Sequence, residues 1–297
     1  MTSYPSNVLR TVALATQGLH APNGHKTAPD IDDLFATVDR IGCVQIDTLQ
    51  MVARSQYLVL WSRLGTYDPA DFDRLIFGPE RRLFEGWQHA ACIIPLSEYR
   101  YQMPRQRDLR EHPSNWYNRW LNETVQKDFV PQVLERVHRE GPLKVSDFES
   151  DGHKGGTWWN WRPAKVALEF LYAFGELMIA DRVKFQRLYD LSGRVLPKWV
   201  DTTEPTVAQR DRFWVERGAK ALGVCLPRHA GDYTWMKVGK SRPIVESLLK
   251  EGILLPITGT LENGNTEELV IHRDNLPLLE QAADGALQAG RTTFLSP

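Results

Sequence analysis

A helical stretch that ends at a glycine and runs directly into an apolar, extended stretch occurs three times in this chain. The three copies span residues 31–46, 163–180 and 243–258. Glycine ends a helix readily because it enters the left-handed backbone region without a steric penalty. Short helices precede each long one and a two-stranded turn follows at least the last two, which is the order of a helix-turn-helix with a β-wing. The uneven spacing favours three winged-helix units in tandem over a tight solenoid.

The predicted fold class is therefore α+β, mainly α with small β wings. A chain of 297 residues with 42% apolar side chains is long enough for two or three domains. We expect winged-helix unit 1 at residues 1–114, unit 2 at 115–196 and unit 3 at 197–290.

Charge and cysteine content narrow the functional classes. The formal net charge is −1, so any binding to nucleic acid must use local basic patches. The three cysteines lie far apart without a CxxC pair, which predicts buried thiols in a reducing cytoplasm and no disulfide framework. The eight histidines lack metal-ligand spacing, so no metal is expected.

The N-terminus lacks a signal-peptide core and no apolar run reaches membrane length, which predicts a cytoplasmic protein without a membrane partner.

The stretch 41–65 places two polar side chains beside apolar ones. If residues 43–48 are extended, Gln45 and Asp47 share one face of the strand. A carboxylate can orient a water and stabilise positive charge, and an adjacent amide can both donate and accept. The same alternation is also the common pattern of an edge strand with one solvated face. The spacing alone leaves both interpretations open.

The window 100–119 is the most basic and aromatic part of the chain. It holds five arginines against two acidic residues, interleaved with tyrosine and tryptophan. A solvated amphipathic helix would account for this composition. An arm that contacts DNA would account for it as well, because arginine binds phosphate oxygens and aromatic rings stack on bases. Arg105 and Arg107 are the candidate phosphate contacts in this window.

Two further stretches pair aromatic or turn residues with cations. Trp159, close to Arg162, can stack on DNA or wedge between domains. Arg182 and Lys184 belong to a hairpin predicted over 177–189, with Arg182 at its turn, where a wing would touch phosphate. An exposed turn commonly carries charge without any such role.

The residues around Gln45 and Asp47 resemble the winged-helix DNA glycosylases of the YcaQ/AlkZ family. That family unhooks DNA crosslinks and removes bulky alkylated bases, and it carries a Gln-apolar-Asp or Gln-apolar-Gln motif. This chain has Gln-Ile-Asp, followed by Arg54 and a helix over residues 58–65. The resemblance implies that Gln45 and Asp47 are catalytic and that Arg54 contacts DNA.

The resemblance continues at residues 85–89, Glu-Gly-Trp-Gln-His, where the family has Glu-aromatic-Trp-x-His near its catalytic pocket. It implies that Trp87 and His89 face DNA, although a histidine beside an apolar strand can equally be a core residue. The sequence departs from the family at Gly86, which replaces an aromatic residue, and at residues 55–56, Ser-Gln in place of His-His. Both departures bear on substrate preference.

Nearly the whole chain fits the family pattern, including residues 158–165, 185–191 and 227–233. The family continues beyond this type of sequence into a C-terminal β-barrel. The resemblance therefore implies that residues 291–297 are the stub of a missing C-terminal domain, in a truncated or naturally short member.

The implied function is a monofunctional DNA glycosylase that hydrolyses the N-glycosidic bond of alkylated or crosslinked purines. Asp47 would stabilise an oxocarbenium-like sugar and direct a water, and Gln45 would hold that water or the sugar phosphate. Neither side chain can form a Schiff base, which argues against a lyase step. No metal or cofactor is implied.

The expected partner is double-stranded DNA with alkylated or crosslinked bases, bound by a monomer. Two other interpretations remain open from the sequence. One is a winged-helix DNA-binding regulator without catalysis, in which Gln45 and Asp47 are ordinary surface residues. The other is an inactive remnant that lacks its barrel.

Overall fold

Helices dominate the fold, and short strands form three small sheets. The α+β class predicted from the sequence is confirmed. The computed structural model describes residues 3–20, 29–48, 50, 52–124, 129–151, 163–290, 292–293 and 295. Two predicted DNA contacts, Trp159 and Arg162, lie outside these residues. Within the described residues, no helix combines the length and the apolar character needed to cross a membrane.

The described residues of the N-terminal third form five α-helices, four strands and one 3-10 helix. These elements are β1 (Ser3–Tyr4), α1 (Ser6–Thr16), α2 (Ile31–Ile41), β2 (Val44–Gln45), α3 (Ser55–Leu64), α4 (Pro69–Phe77), β3 (Leu83–Trp87), β4 (Ala91–Pro95), the 3-10 helix Leu96–Gln102 and α5 (Met103–Glu111).

The middle third adds helices on either side of a hairpin. These elements are α6 (Asn115–Thr124), α7 (Phe129–Glu140), the 3-10 helix Val145–Asp151, α8 (Pro163–Ala173), β5 (Leu177–Val183), β6 (Gln186–Leu191) and α9 (Ser192–Val195).

The last third has the longest helix and the largest sheet. These elements are α10 (Val207–Leu222), β7 (Val224–Cys225), α11 (Pro227–Asp232), α12 (Val238–Lys250), β8 (Leu254–Thr260), β9 (Thr266–His272), the 3-10 helix Arg273–Asn275 and α13 (Leu276–Ala283).

The same element order recurs in all three parts: a helix, a short extended stretch, two helices and a hairpin. In the first and last parts the short strand pairs antiparallel with the second hairpin strand, β2 with β4 and β7 with β9. In the middle part Leu143 makes the equivalent bridge to Tyr189 of β6. The structure therefore repeats an element order, but it matches α2 and β2 of residues 31–46 with α10 and β7. The other two copies read from the sequence, 163–180 and 243–258, are α8 with β5 and α12 with β8, whose counterpart in the first part is α4 with β3. The first copy predicted from the sequence is thus wrongly aligned with the other two.

Each helix group packs on its own hairpin around a separate apolar cluster. Phe72, Leu168 and Leu248 are fully buried representatives of the three clusters. The N-terminal segment is an exception to this local packing, because β1 pairs in parallel with β8 and α1 packs against α13. Residues expected in the unit 1–114 therefore also complete the sheet and core of the last part.

Candidate active site

The Gln-Ile-Asp motif is held by a glycine turn and by a very short strand. Gly42 adopts φ +87° and ends α2, so that the chain enters β2 directly. Val44 is buried and Gln45 is exposed. The Ile46 N–H donates to the Ala91 carbonyl at 2.8 Å, and the half-buried Asp47 donates its backbone N–H to Ser55 Oγ at 3.2 Å. The predicted alternation is present at Val44 and Gln45, whereas Ile46 and Asp47 are both half-buried, and the regular strand covers only residues 44–45.

The two departures from the family pattern have local explanations. Ser55 begins α3 and accepts the hydrogen bond from the Asp47 backbone, so it fixes the end of the motif. A side chain at Gly86 would start 2.8 Å from Ile94 Cδ1 and 2.9 Å from Phe84 Cε2. Those contacts are too close for a Cβ atom, so a larger residue at position 86 would require the side chains of Ile94 and Phe84 to shift.

His89 contacts the motif directly. It lies in the turn between β3 and β4, and its Nε2 is 3.2 Å from Gln45 Oε1 of β2. Burial lowers the pKa of His89, which favours the neutral imidazole at pH 7. The ring is half-buried and stands 6.0 Å from the ring of Trp235. His89 is therefore neither a fully enclosed core residue nor a freely exposed one.

A cleft of about 550 Å³ opens beside His89, and we name it the tryptophan cleft. Two indole rings on its walls are solvent-exposed, Trp87 at 47% and Trp235 at 73%. Trp235 was not predicted as a site residue, although its position two residues before Lys237 resembles the aromatic-basic pattern of residues 100–119. The cleft is lined by Trp87, Gln88, His89, Tyr101, Gln102, Arg105, Arg210, Asp211, Trp214, Thr234, Trp235, Met236, Lys237 and Lys240.

The structure separates the two arginines predicted to act together. Arg105 lines the tryptophan cleft, with its guanidinium carbon 5.7 Å from the Trp87 ring centroid and Nη1 donating to the Trp87 carbonyl at 3.3 Å. Burial lowers the pKa of Arg105. Arg107 instead forms an ion pair with Glu204 at 2.6 Å. Only Arg105 of this pair is positioned at the cleft.

A second cleft of about 650 Å³ reaches the motif at Ile46, and we name it the arginine cleft. Ile46 of the motif lines it, together with Arg54 and the hairpin turn between β5 and β6. The Arg54 guanidinium carbon lies 3.3 Å from the Phe185 ring centroid. Lys184 is exposed, and Lys184 and Phe185 both adopt positive φ, which makes them the turn residues.

Arg182 lies in β5 and not at the turn where the sequence analysis expected it. Its guanidinium contacts both carboxylate oxygens of Glu85, one of them at 2.8 Å from Nη2. Arg187 approaches the same carboxylate at 3.3 Å and forms a second pair with Glu169 at 3.0 Å. The Glu85 side chain is only 1% exposed, so this is a buried network that joins β3 to the hairpin.

A tyrosine–carboxylate pair in the arginine cleft was also missed by the sequence analysis. The Tyr57 hydroxyl donates to Asp73 Oδ1 at 2.8 Å. Burial raises the pKa of Asp73, and it raises the pKa of Tyr57 as well. The two residues come from α3 and α4, and nothing in their sixteen-residue separation indicated the contact.

A comparison with protein families identifies the chain. The model of the AlkZ-like family, described as DNA glycosylase AlkZ-like, matches residues 38–297, which include the motif and both clefts. The chain belongs to the AlkZ-like DNA glycosylase family. It is therefore a DNA glycosylase whose substrate is DNA, and the resemblance seen in the sequence is confirmed.

A solved structure supports the same fold for this AlkZ-like glycosylase. The chain is similar to the Streptomyces sahachiroi DNA glycosylase AlkZ, with a TM-score of 0.58 and 13% sequence identity. The match covers 94% of this chain and 72% of the other. At that identity the likeness establishes the fold, and the roles of individual residues in this AlkZ-like protein stay predictions.

Proposed function

We propose that this enzyme is a monofunctional DNA glycosylase that hydrolyses the N-glycosidic bond of alkylated or crosslinked purines in double-stranded DNA. The position of the Gln-Ile-Asp motif supports this proposal best. Gln45 contacts His89 of the tryptophan cleft, and Ile46 lines the arginine cleft. The motif thus adjoins two clefts that offer cations and aromatic rings, the groups that hold DNA backbone and bases.

In the proposed reaction, water replaces the damaged base at the sugar carbon through an oxocarbenium-like transition state. Asp47 carries the carboxylate that stabilises the developing positive charge and directs the water. Alkylation at N7 already makes the purine a good leaving group, so the reaction needs no strong general acid. With the proton on Nε2, His89 donates to Gln45 Oε1 and leaves the Gln45 amide N–H groups to hold the water or the sugar phosphate.

The repeated element order supports three winged-helix units at 1–114, 115–196 and 197–290, with β1 and α1 packed on the third. Arg54 and Lys184 of the arginine cleft and Arg105 of the tryptophan cleft are the proposed phosphate contacts. Two open clefts that adjoin the motif suit bulky or crosslinked bases better than a single closed pocket.

Base release from damaged DNA tests the proposal. A duplex with one 7-methylguanine is incubated with the protein, and abasic sites are revealed by strand cleavage in hot alkali. We expect alkali-dependent cleavage and no covalent adduct after borohydride treatment. A regulator without catalysis would bind the duplex and release no base. Borohydride trapping of the protein on DNA would contradict the monofunctional mechanism, because it requires a Schiff base.

A larger lesion then separates alkylated monoadducts from crosslinks as substrates. The same assay is run on a duplex that carries an interstrand crosslink between purines. Unhooking of this duplex supports the crosslink specificity. Release of 7-methylguanine with an intact crosslink would restrict the proposal to alkylated monoadducts.

A further inference from the structure

The thiols of Cys43 and Cys92 and the imidazole of His89 form a cluster next to Gln45. Gln45 pairs with Cys92 across the β2–β4 ladder, and Cys43 precedes Gln45 by two residues. Directly opposed residues, and residues two apart, lie on the same face of a sheet. His89 reaches this face from the turn that precedes β4. The two sulfur atoms and one ring nitrogen of His89 all lie within 4.8 Å of one another.

The surroundings of this cluster suit a bound cation. Cys92 is fully buried, and Cys43 is half-buried beside it. The Nε2 atom of His89 contacts Gln45 Oε1, whereas its Nδ1 atom is buried and makes no hydrogen bond to the described residues. A buried polar atom without a partner is costly and points to a missing ligand.

We propose that Cys43, His89 and Cys92 bind one zinc ion, with His89 coordinating through Nδ1. Zinc prefers thiolate sulfur at about 2.3 Å and imidazole nitrogen at about 2.0–2.1 Å in a tetrahedron, which sets the ligand atoms about 3.5–3.8 Å apart. A contraction of about 1 Å brings the three atoms to those separations. The two thiols lose their protons to solvent when the two S–Zn bonds form, and a solvent oxygen takes the fourth position.

The zinc ion would also orient the motif, a consequence that rests on the proposed role of Gln45. Coordination through Nδ1 leaves the proton of His89 on Nε2, where it donates to Gln45 Oε1. Metal-bound histidines commonly donate their other N–H group in this way. His89 is then a positioning residue: it holds Gln45 Oε1, so that the amide N–H groups of Gln45 are turned toward DNA.

The sequence does not predict this site because its ligands come from separate elements. Cys43 lies before β2, and His89 and Cys92 lie forty-six and forty-nine residues later. The spacing His-x-x-Cys is short enough for a metal site, but it lacks the second pair that typical zinc motifs carry. Antiparallel pairing of β2 with β4 supplies the missing thiol.

Cobalt titration of the full chain tests the site. Co²⁺ replaces zinc in tetrahedral sites and shows thiolate charge-transfer bands that report sulfur ligands. We compare the natural chain with Cys43→Ser, Cys92→Ser and the matched control Cys225→Ser, whose buried cysteine lies in β7 outside the cluster. We expect one ion per chain and two protons released per ion in the natural chain and in Cys225→Ser. Cys43→Ser and Cys92→Ser should bind Co²⁺ more than about 100-fold more weakly than the natural chain. Loss of a residue that only contacts a metal ligand lowers the affinity by about 10–100-fold, so a larger loss indicates a direct ligand.

Several results would overturn the proposal. They are the absence of charge-transfer bands in the natural chain, an equal loss of affinity in Cys225→Ser, and thiols of Cys43 and Cys92 that react equally fast with a thiol reagent in the presence and absence of the metal. If the cluster variants fail to fold, the natural chain alone tests the site. Thiolate charge-transfer bands with two protons released per ion then support the proposal, and their absence overturns it. Asp47→Asn should bind the ion normally, so a failed glycosylase assay and a failed metal assay remain distinguishable.

Discussion

Among single side chains, Asp47 carries the most specific chemical prediction. Asp47→Asn keeps the shape of the side chain and removes its charge, so charge stabilisation at the sugar is lost while the fold remains. Removing one such positioned group commonly lowers the rate by about 10²–10³-fold. Single-turnover release of 7-methylguanine should fall by that factor, with an unchanged midpoint of thermal unfolding.

The matched control is Asp284→Asn, which makes the same change at the exposed C-cap of α13. Its rate should equal that of the natural chain. Natural turnover in Asp47→Asn would remove Asp47 from the mechanism and favour the interpretation of the motif as the solvated face of an edge strand.

Glu85 connects β3 with the β5–β6 hairpin, and this connection depends on a buried charge. Glu85→Ala leaves Arg182 and Arg187 without their shared carboxylate. Breaking a buried ion pair from one side typically costs about 3–5 kcal/mol. The free energy of unfolding, measured by denaturant titration, should fall by that amount.

An exposed pair provides the control for Glu85. Glu246→Ala breaks the pair with Arg242 on the solvent side of α12 and should change the free energy of unfolding far less. Equal losses in the two variants would mean that the Glu85 network contributes no more than a surface pair.

The walls of the tryptophan cleft, which include residues of α5 and α10 and the N-cap of α12, predict how DNA binding depends on salt. Arg105 and Lys237 line the cleft, whereas Arg107 is paired with Glu204. Each phosphate contact contributes about 0.9 to the slope of log affinity against log salt. The double variant Arg105→Ala, Lys237→Ala should therefore flatten that slope by about 1–2 in an anisotropy titration.

Arg107→Ala is the matched arginine control for this cleft, and its slope should stay that of the natural chain. A larger change in Arg107→Ala than in the double variant would move the phosphate contacts away from the cleft, to the outer side of α5.

Across the fold, Glu98 and Arg217 join the first helix group to α10. The two side chains form a buried ion pair at 2.8 Å, and Arg217 also donates to the Asp39 carbonyl of α2. Burial raises the pKa of the Glu98 carboxyl to about 7, and it outweighs the opposing effect of Arg217. A carboxyl with a raised pKa binds more protons in the folded state, so its contribution to stability falls as the pH rises from 4.5 to about 7.

Glu98→Gln should abolish this part of the pH dependence. The stability of the variant relative to the natural chain should be greater at pH 8 than at pH 5, by on the order of 2–3 kcal/mol. Denaturant unfolding at both pH values measures the difference, and exposed Glu246→Gln serves as the control. Identical differences for the two variants would show that Glu98 titrates normally.

Local chemistry made several features predictable from the sequence alone. Asp30 caps α2 through its side chain, and Gly42 ends that helix with a positive φ, because both effects involve only neighbouring residues. The alternation of Val44 and Gln45 likewise needs only the two-residue period of a strand. The helix-to-strand order, the α+β class and the family followed from such local signals.

Only the tertiary structure decided which distant residues meet. The pairing of Arg107 with Glu204, the burial of Arg182 against Glu85 and the convergence of Cys43 with Cys92 each join elements far apart in sequence. Local sequence preferences do not predict these contacts, because the contacts depend on how helix groups and hairpins pack together. Whether a cation faces DNA or a carboxylate is therefore a property of the packed fold.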